Sequence, residues 1–262
     1  NEKFNRSNDQ NLRYLESILN DEKNRNSLVI LPETYFSDGS LISSLNYSTI
    51  IQGLKIIRER YDTEILTGIE LYEVFNDSSK VKKYSNRLEN NRWLDLFNAS
   101  IFISEDIDIY KKSKLVVGIE KMPYKNFLEP LLGSLLIDFG GLSYSRGHQD
   151  YRTVFKSNTG TKVAPIICYE SIYGEYVSDY VRNGANLLAI ITNDGWWNNT
   201  EGHKQHLSYA RLRSIETRKN ILRSANTGIS AVINYRGEIV KTIGYEQEGL
   251  INKNVGINDK IT

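Results

Sequence analysis

The sequence predicts a layered α/β fold from three observations. Short apolar runs of strand length alternate with helix-period segments, the alternation runs through all 262 residues without a linker, repeat or low-complexity tract, and it closes on a hairpin. Residues 8–20 place Leu12, Leu15, Ile18 and Leu19 at three- and four-residue spacings, the pattern of an amphipathic helix. Ser27-Leu28-Val29-Ile30-Leu31, closed by Pro32, has the length and composition of a buried strand. A helix over 50–61 leads to a strand at 64–68, and after a segment rich in Asn and Lys a further strand follows at 98–104. The run 161–168 is another strand, in which Pro165 argues for an edge, a bulge or a strand start because it has no N–H to donate. Residues 172–183 form a helix with Gly184 as its cap, and 185–192 the next strand. A helix over 202–219 carries Leu207, Ala210, Ile215 and Leu222 on one side, and 229–234 with 238–243 fold back around Tyr235-Arg236-Gly237.

With 40% hydrophobic and 25% charged residues, the chain fits one large domain covering 1–262. Its 33 basic and 32 acidic residues are spread along the sequence, so there is no electrostatic footprint for nucleic acid or an anionic membrane surface. A single cysteine excludes an internal disulfide framework and a cysteine-based zinc site. No stretch approaches the roughly 20 apolar residues that span a bilayer, and the N-terminus has no signal-peptide layout. Without an initiator Met or a terminating feature, the chain reads as a fragment of something longer.

Three reactive residues each follow an apolar strand: Glu33 after 28–31, Lys112 beyond the strand and acidic turn of 100–110, and Cys168 at the end of 163–167. Functional groups gather at the carboxyl ends of strands in open α/β folds, so residues distant in sequence can converge there. A thiol is nucleophilic as thiolate, and the helix start expected near Ile172 would lower its pKa. Glu33 can take the thiol proton, and Lys112 can stabilise an oxyanion together with the backbone N–H of Tyr169, which is acyl transfer through a thioester. Taken singly each residue has an ordinary reading: a buried small hydrophobe for the cysteine, solvated surface for the glutamate and the lysine. His203 and His206, three apart on a helix, allow a metal site, but no Cys, Asp or Glu at ligand spacing supports one, and packing or capping suits them better. A Cys-His protease pairing would leave Glu33 and Lys112 unexplained. Trp196 and Trp197 sit in a polar loop, where they either face a lipid or pack on the sheet.

The segments around these residues resemble the carbon-nitrogen hydrolase (nitrilase) superfamily and, within it, the extracytoplasmic domain of the apolipoprotein N-acyltransferases. Leu31-Pro32-Glu33-Thr34 resembles the family's Pro-Glu motif. Tyr110-Lys111-Lys112-Ser113-Lys114-Leu115-Val116, then Glu120-Lys121-Met122-Pro123, resembles Tyr-x-Lys-x-x-Leu-Val…Glu-x-x-Pro, a register that selects Lys112 over Lys111 and Lys114. Ile166-Ile167-Cys168-Tyr169-Glu170 resembles the acyltransferases' Cys-Tyr-Glu signature. The stretches Asn193-Asp194-Gly195-Trp196, Gln205-His206, Arg211-x-Arg213 and Arg223-x-x-Asn226-x-Gly228 follow in the family's order. Val117-Gly118 departs from the Pro-Phe-Gly of many members.

The resemblance implies a four-layer α-β-β-α sandwich with a Glu33, Lys112, Cys168 triad, Glu120 as a second glutamate beside the lysine, and Tyr169, Glu170 and Trp196 as supporting or substrate-binding residues. It implies no metal or organic cofactor. The activity implied is transfer of an acyl chain from a phospholipid to the N-terminal amine of a lipid-modified cysteine on an apolipoprotein. Such an enzyme sits in the bacterial cytoplasmic membrane with this domain on its outer face, held by membrane helices before residue 1 and after residue 262. Two rivals stand beside it: a soluble amidohydrolase using the same triad with water as acceptor, and a catalytically silent scaffold module, against which the intact triad speaks.

Overall fold

The computed structural model describes residues 6–116, 120 and 144–260. The first half builds a sheet from β1 (Leu28–Ile30), β2 (Phe36–Leu41), β3 (Glu64–Phe75), β4 (Asn86–Arg87), β5 (Trp93–Ile103) and β6 (Ile107–Lys111), covered on its outer side by α1 (Asn8–Leu19) and α2 (Thr49–Tyr61). The second half builds another from β7 (Phe155–Lys156), β8 (Lys162–Ile167), β9 (Leu187–Thr192), β10 (Ile221–Ala225), β11 (Ser230–Ile233) and β12 (Ile239–Ile243), with α3 (Gly174–Arg182) and α4 (Glu201–Thr217) against it. The result is the four-layer α-β-β-α sandwich of the nitrilase type.

Period-two alternation in β3 and β5 separates the layers. Ile65, Ile69 and Leu71 of β3, with Phe97, Ala99, Ile101 and Ile103 of β5, pack outward against Leu15, Leu19, Ile51, Leu54 and Ile57 of the helices. Their alternate neighbours Leu66 and Phe102 face inward and join the core of the second sheet, where Phe102 stacks on Phe155 at 5.5 Å. In the antiparallel β3–β5 ladder Leu66 pairs with Phe102, Gly68 with Ser100 and Glu70 with Asn98. The inner face thus changes along the ladder from apolar to polar, and the site lies at the polar end.

The expected helices and the hairpin are present within one or two residues, and α1 starts at Ser7 with a capping box closed by Gln10. Gly184 takes φ +94 beyond α3, where Gly184 N–H and Ala185 N–H close the last turn on Val181 and Tyr180. Pro165 lies on an edge, as expected: β7 pairs β8 only at 162–163, and the Pro165 carbonyl, facing away from β9, accepts from Tyr180 Oη at 3.0 Å. Four features differ. The 64–68 and 98–104 strands extend to 64–75 and 93–103, because the sequence between them forms a long hairpin ladder with polar inner positions that broke the apolar pattern. Strand β2 carries the polar run Ser37-Asp38-Gly39-Ser40 and β6 alternates charged and apolar residues over only five positions, so neither has an apolar signal. The helix expected from 172 begins at Gly174, after a 3-10 turn over Cys168–Ile172. Finally, Ile215 of α4 is exposed, and the buried side of that helix is largely polar, with His203, His206, Arg213, Ser214 and Thr217 beside Leu207 and Ala210.

Candidate active site

Each of the three residues expected to form a triad, Glu33, Lys112 and Cys168, lies just beyond a strand end. Beyond β1, Leu31 N–H donates to Leu66 O at 2.8 Å and Gly68 N–H to Pro32 O at 3.0 Å, so pairing with β3 continues up to Glu33. Gly68 is required there, because a Cβ on it would lie 2.5 Å from Thr34 N and 2.6 Å from Glu33 Cα. Lys112 is the first residue past β6, its N–H held by Asn98 O at 2.9 Å, and Cys168 is the first past β8. Lys112 and Cys168 thus come to the seam between the sheets on the same side as Glu33.

Lys112 Nζ lies 2.9 Å from Glu33 Oε1 and 3.1 Å from Glu120 Oε1, with all three side chains buried. Asn98 Nδ2 makes the same two contacts, at 2.8 Å and 3.0 Å, and Asn193 N–H donates to Glu33 Oε2 at 2.8 Å. Burial alone would lower the lysine pKa, but Glu33 and Glu120 outweigh it and hold Lys112 above the ordinary lysine value. Burial likewise opposes ionisation of Glu120, and Lys112, the Val116 N–H and Asn98 together bring its pKa below the usual carboxylate value. A partly buried ion pair between Arg146 and Glu70 flanks the cluster; burial pushes the Glu70 carboxyl up, and Glu33 and Glu120 add to this.

The Cys168 thiol is pushed up to about 12 by burial and then by Glu33, against the smaller opposing influence of Lys112 and a hydrogen bond with Thr192. The expected lowering by a following helix is therefore not found: desolvation dominates, and the turn after Cys168 is five residues of 3-10 helix. At neutral pH the resting group is a thiol. Its backbone is in the left-handed region at φ +49, which for a non-glycine residue costs roughly 1–2 kcal/mol.

What holds that conformation is a buried polar network. Cys168 O accepts from Ser171 Oγ at 2.7 Å and lies 3.1 Å from His206 Nε2, while His206 Nδ1 meets Asp194 Oδ1 at 2.9 Å and Arg223 donates to Asp194 Oδ2 at 2.7 Å. Burial opposes the charge on Asp194, but His206 and Arg223 hold its carboxyl well below the usual range. Both ring nitrogens of His206 are thereby engaged away from the sulfur, which removes the Cys-His pairing. His203 packs on the Tyr245 ring at 4.5 Å, and the cap of α4 is Thr200.

Glu170 is fully buried and accepts from Tyr110 Oη at 2.5 Å, Ser113 N–H at 2.6 Å, Ile167 N–H at 2.8 Å and Tyr176 Oη at 3.2 Å. One carboxyl therefore ties the chain before Cys168 to the chain after Lys112. Burial pushes it up despite these donors. Tyr169 is half buried, its ring edge-on to Tyr173 at 5.4 Å. Trp196 lies in a 3-10 turn over Gly195–Trp197, but its side chain, with Val117-Gly118 and Lys121–Pro123 of the lysine motif, is outside the described residues.

Residues to which the sequence assigned no role complete the site: Asn98, Asn193 and Thr192. An asparagine inside the run 96–103, where Ser100 is the other polar residue, was the available signal for the first; the second stood in a family motif, but its contact is made by the backbone N–H, which the sequence does not show.

The matches to known proteins follow the same lines. The carbon-nitrogen hydrolase family model matches residues 5–259. An apolipoprotein N-acyltransferase of Chlorobaculum tepidum is 32% identical over 210 residues, 78% of this chain and 39% of its own length, and one of Sinorhizobium medicae is 36% identical over 159 residues, 58% and 29% respectively. The chain thus spans about two fifths or less of these relatives. Among solved structures, Nit3 of Saccharomyces cerevisiae, a nitrilase superfamily member, superposes with a TM-score of 0.63 at 18% identity over 94% of this chain and 82% of its own. XC1258 of Xanthomonas campestris, described as a CN-hydrolase superfamily protein, gives 0.61 at 18% identity over 92% and 83%. Fold, site geometry and family match together establish that this chain belongs to the carbon-nitrogen hydrolase family.

Proposed function

We propose that the chain is the catalytic domain of an N-acyltransferase that moves an acyl chain from a phospholipid to the N-terminal amine of a lipid-modified cysteine on an apolipoprotein. One observation carries the reading: a neutral buried thiol, a carboxylate and a lysine share one cluster, with Lys112 Nζ 2.9 Å from Glu33 Oε1. In that cluster Glu33 takes the Cys168 proton as Sγ attacks the ester carbonyl. The ammonium of Lys112, with the Tyr169 N–H, stabilises the tetrahedral oxyanion. Collapse expels the lysophospholipid oxygen, which receives the proton from Glu33 and leaves a thioester. The acceptor amine then attacks, gives a proton to Glu33, and releases the thiolate, which Glu33 reprotonates. Glu120 keeps Lys112 charged, and Glu170 sets the Cys168 and Lys112 segments relative to each other; Trp196 is assigned to substrate binding on the family motif alone.

The names of the relatives support the acceptor, and their greater length supports a full protein anchored in the bacterial cytoplasmic membrane with this domain on the outer face. No helix among the described residues is long and apolar enough to cross a membrane, so anchoring falls to other segments. The test is to incubate the full-length protein in membranes with phospholipid and follow it by intact mass. A hydroxylamine-labile adduct absent from Cys168→Ala is expected. Equal labelling of wild type and Cys168→Ser overturns the thioester mechanism, and release of free fatty acid at the same rate with and without an amine acceptor replaces transfer by hydrolysis.

A further inference from the structure

Asn98 is bound to Glu33, Glu120 and Lys112, the three charged members of the cluster. Its Nδ2 donates to Glu33 Oε1 at 2.8 Å and Glu120 Oε1 at 3.0 Å, and its backbone oxygen accepts the Lys112 N–H at 2.9 Å. Lys112 Nζ contacts the same two carboxylate oxygens, so the four groups close a ring in which two donors alternate with two acceptors. Carboxylates only accept, which fixes the amide with its NH2 toward them. The cost of that orientation is visible: Asn98 is 4% exposed, and its Oδ1 has no hydrogen-bond partner among the described residues. A buried asparagine that leaves its carbonyl unmet is kept for its two N–H donors.

We propose that Asn98 is a positioning residue for the reaction: it bridges Glu33 and Glu120 without adding charge, so that two carboxylates share the single cation of Lys112 and Glu33 stays both oriented and basic. The ring carries one positive and two negative charges. A cation at position 98 would neutralise it and weaken Glu33 as a base; an anion would add a third negative charge beside the thiol. Among the described residues, the charged groups around position 98 are Glu33, Glu120 and Lys112 in the ring, Glu70 directly across the β3–β5 ladder, and Arg146 paired with Glu70; Cys168 adjoins through Glu33 and Lys112.

The proposal rests on Glu33 as the base, and the test separates the two. Alkylation of Cys168 by iodoacetamide, read by intact mass on the full-length protein, needs neither phospholipid nor acceptor. Asn98→Ala is expected to alkylate at least about tenfold more slowly than wild type at neutral pH, with Glu33→Gln slowed as much or more. Asn98→Asp carries the sharper signature. At low pH its carboxyl, between two others, keeps a proton and donates it; as pH rises it ionises, and the ratio of its rate to wild type falls at least about tenfold between about pH 5.5 and 8.5. A pH-independent ratio in Asn98→Asp, with or without a lowered Tm, makes Asn98 merely structural and overturns the proposal. Glu33→Gln alkylating like wild type overturns Glu33 as base instead.

Discussion

The backbone N–H of Asn193 donates to Glu33 Oε2 at 2.8 Å, joining two residues 160 positions apart. Glu33 Oε1 accepts from Lys112 and Asn98, so the carboxylate is held by donors on both oxygens, from both sheets. Glu33→Gln cannot satisfy this arrangement, because one end of an amide must donate where a donor already points. Thioester formation is expected to slow at least about a hundredfold, measured by intact mass over time.

Removing the cation tests the other side of the ring. Lys112→Met leaves Glu33 and Glu120 buried and facing one another, and is expected to cost about 3–5 kcal/mol of stability in chemical denaturation, with loss of acylation. Adding Glu120→Gln to Lys112→Met should recover part of that stability and none of the activity.

Asp194 governs the acid limit. Its folded-state pKa is depressed by His206 and Arg223, so its contribution is present above the unfolded value of about 4 and is lost as pH falls below it toward the folded value. Thermal denaturation should show wild type losing stability below about pH 4, whereas Asp194→Asn starts lower at neutral pH and has a flatter acid limb.

Gly68→Ala places a Cβ against the backbone of Pro32, Glu33 and Thr34. A destabilisation of about 1–3 kcal/mol is expected from the forced shift. Displacing Glu33 by a fraction of an ångström should cut acylation by about tenfold or more, so activity per folded molecule falls with Tm.

The regular elements with clean apolar periodicity were legible in the sequence: α1, α2, β1, β8, β9 and the β11–β12 hairpin follow from spacing alone. So were the three residues at strand ends, and the match of their surroundings to a family fixed which lysine to choose. β2 and β6 were not, because they are short and polar and are held by pairing to longer neighbours rather than by their own propensity. The buried side of α4 was misjudged for a related reason: it covers the polar end of the seam, where His206 and Arg213 meet partners that only the fold supplies. The thiol also titrates opposite to the simple expectation, since burial is a tertiary quantity that local sequence does not encode.

The division of labour between the sheets has a consequence for assembly. Glu33, Asn98 and Lys112 come from the first half of the chain, and Cys168, Asp194 and His206 from the second. Neither half contains both Cys168 and Glu33, so a nascent chain that has completed only its first sheet carries no thiol, and the chemistry proposed above needs both halves docked. Under the proposed mechanism, two polypeptides split between the sheets are inert apart and competent on reassociation, which makes thiol acylation a direct reporter of docking.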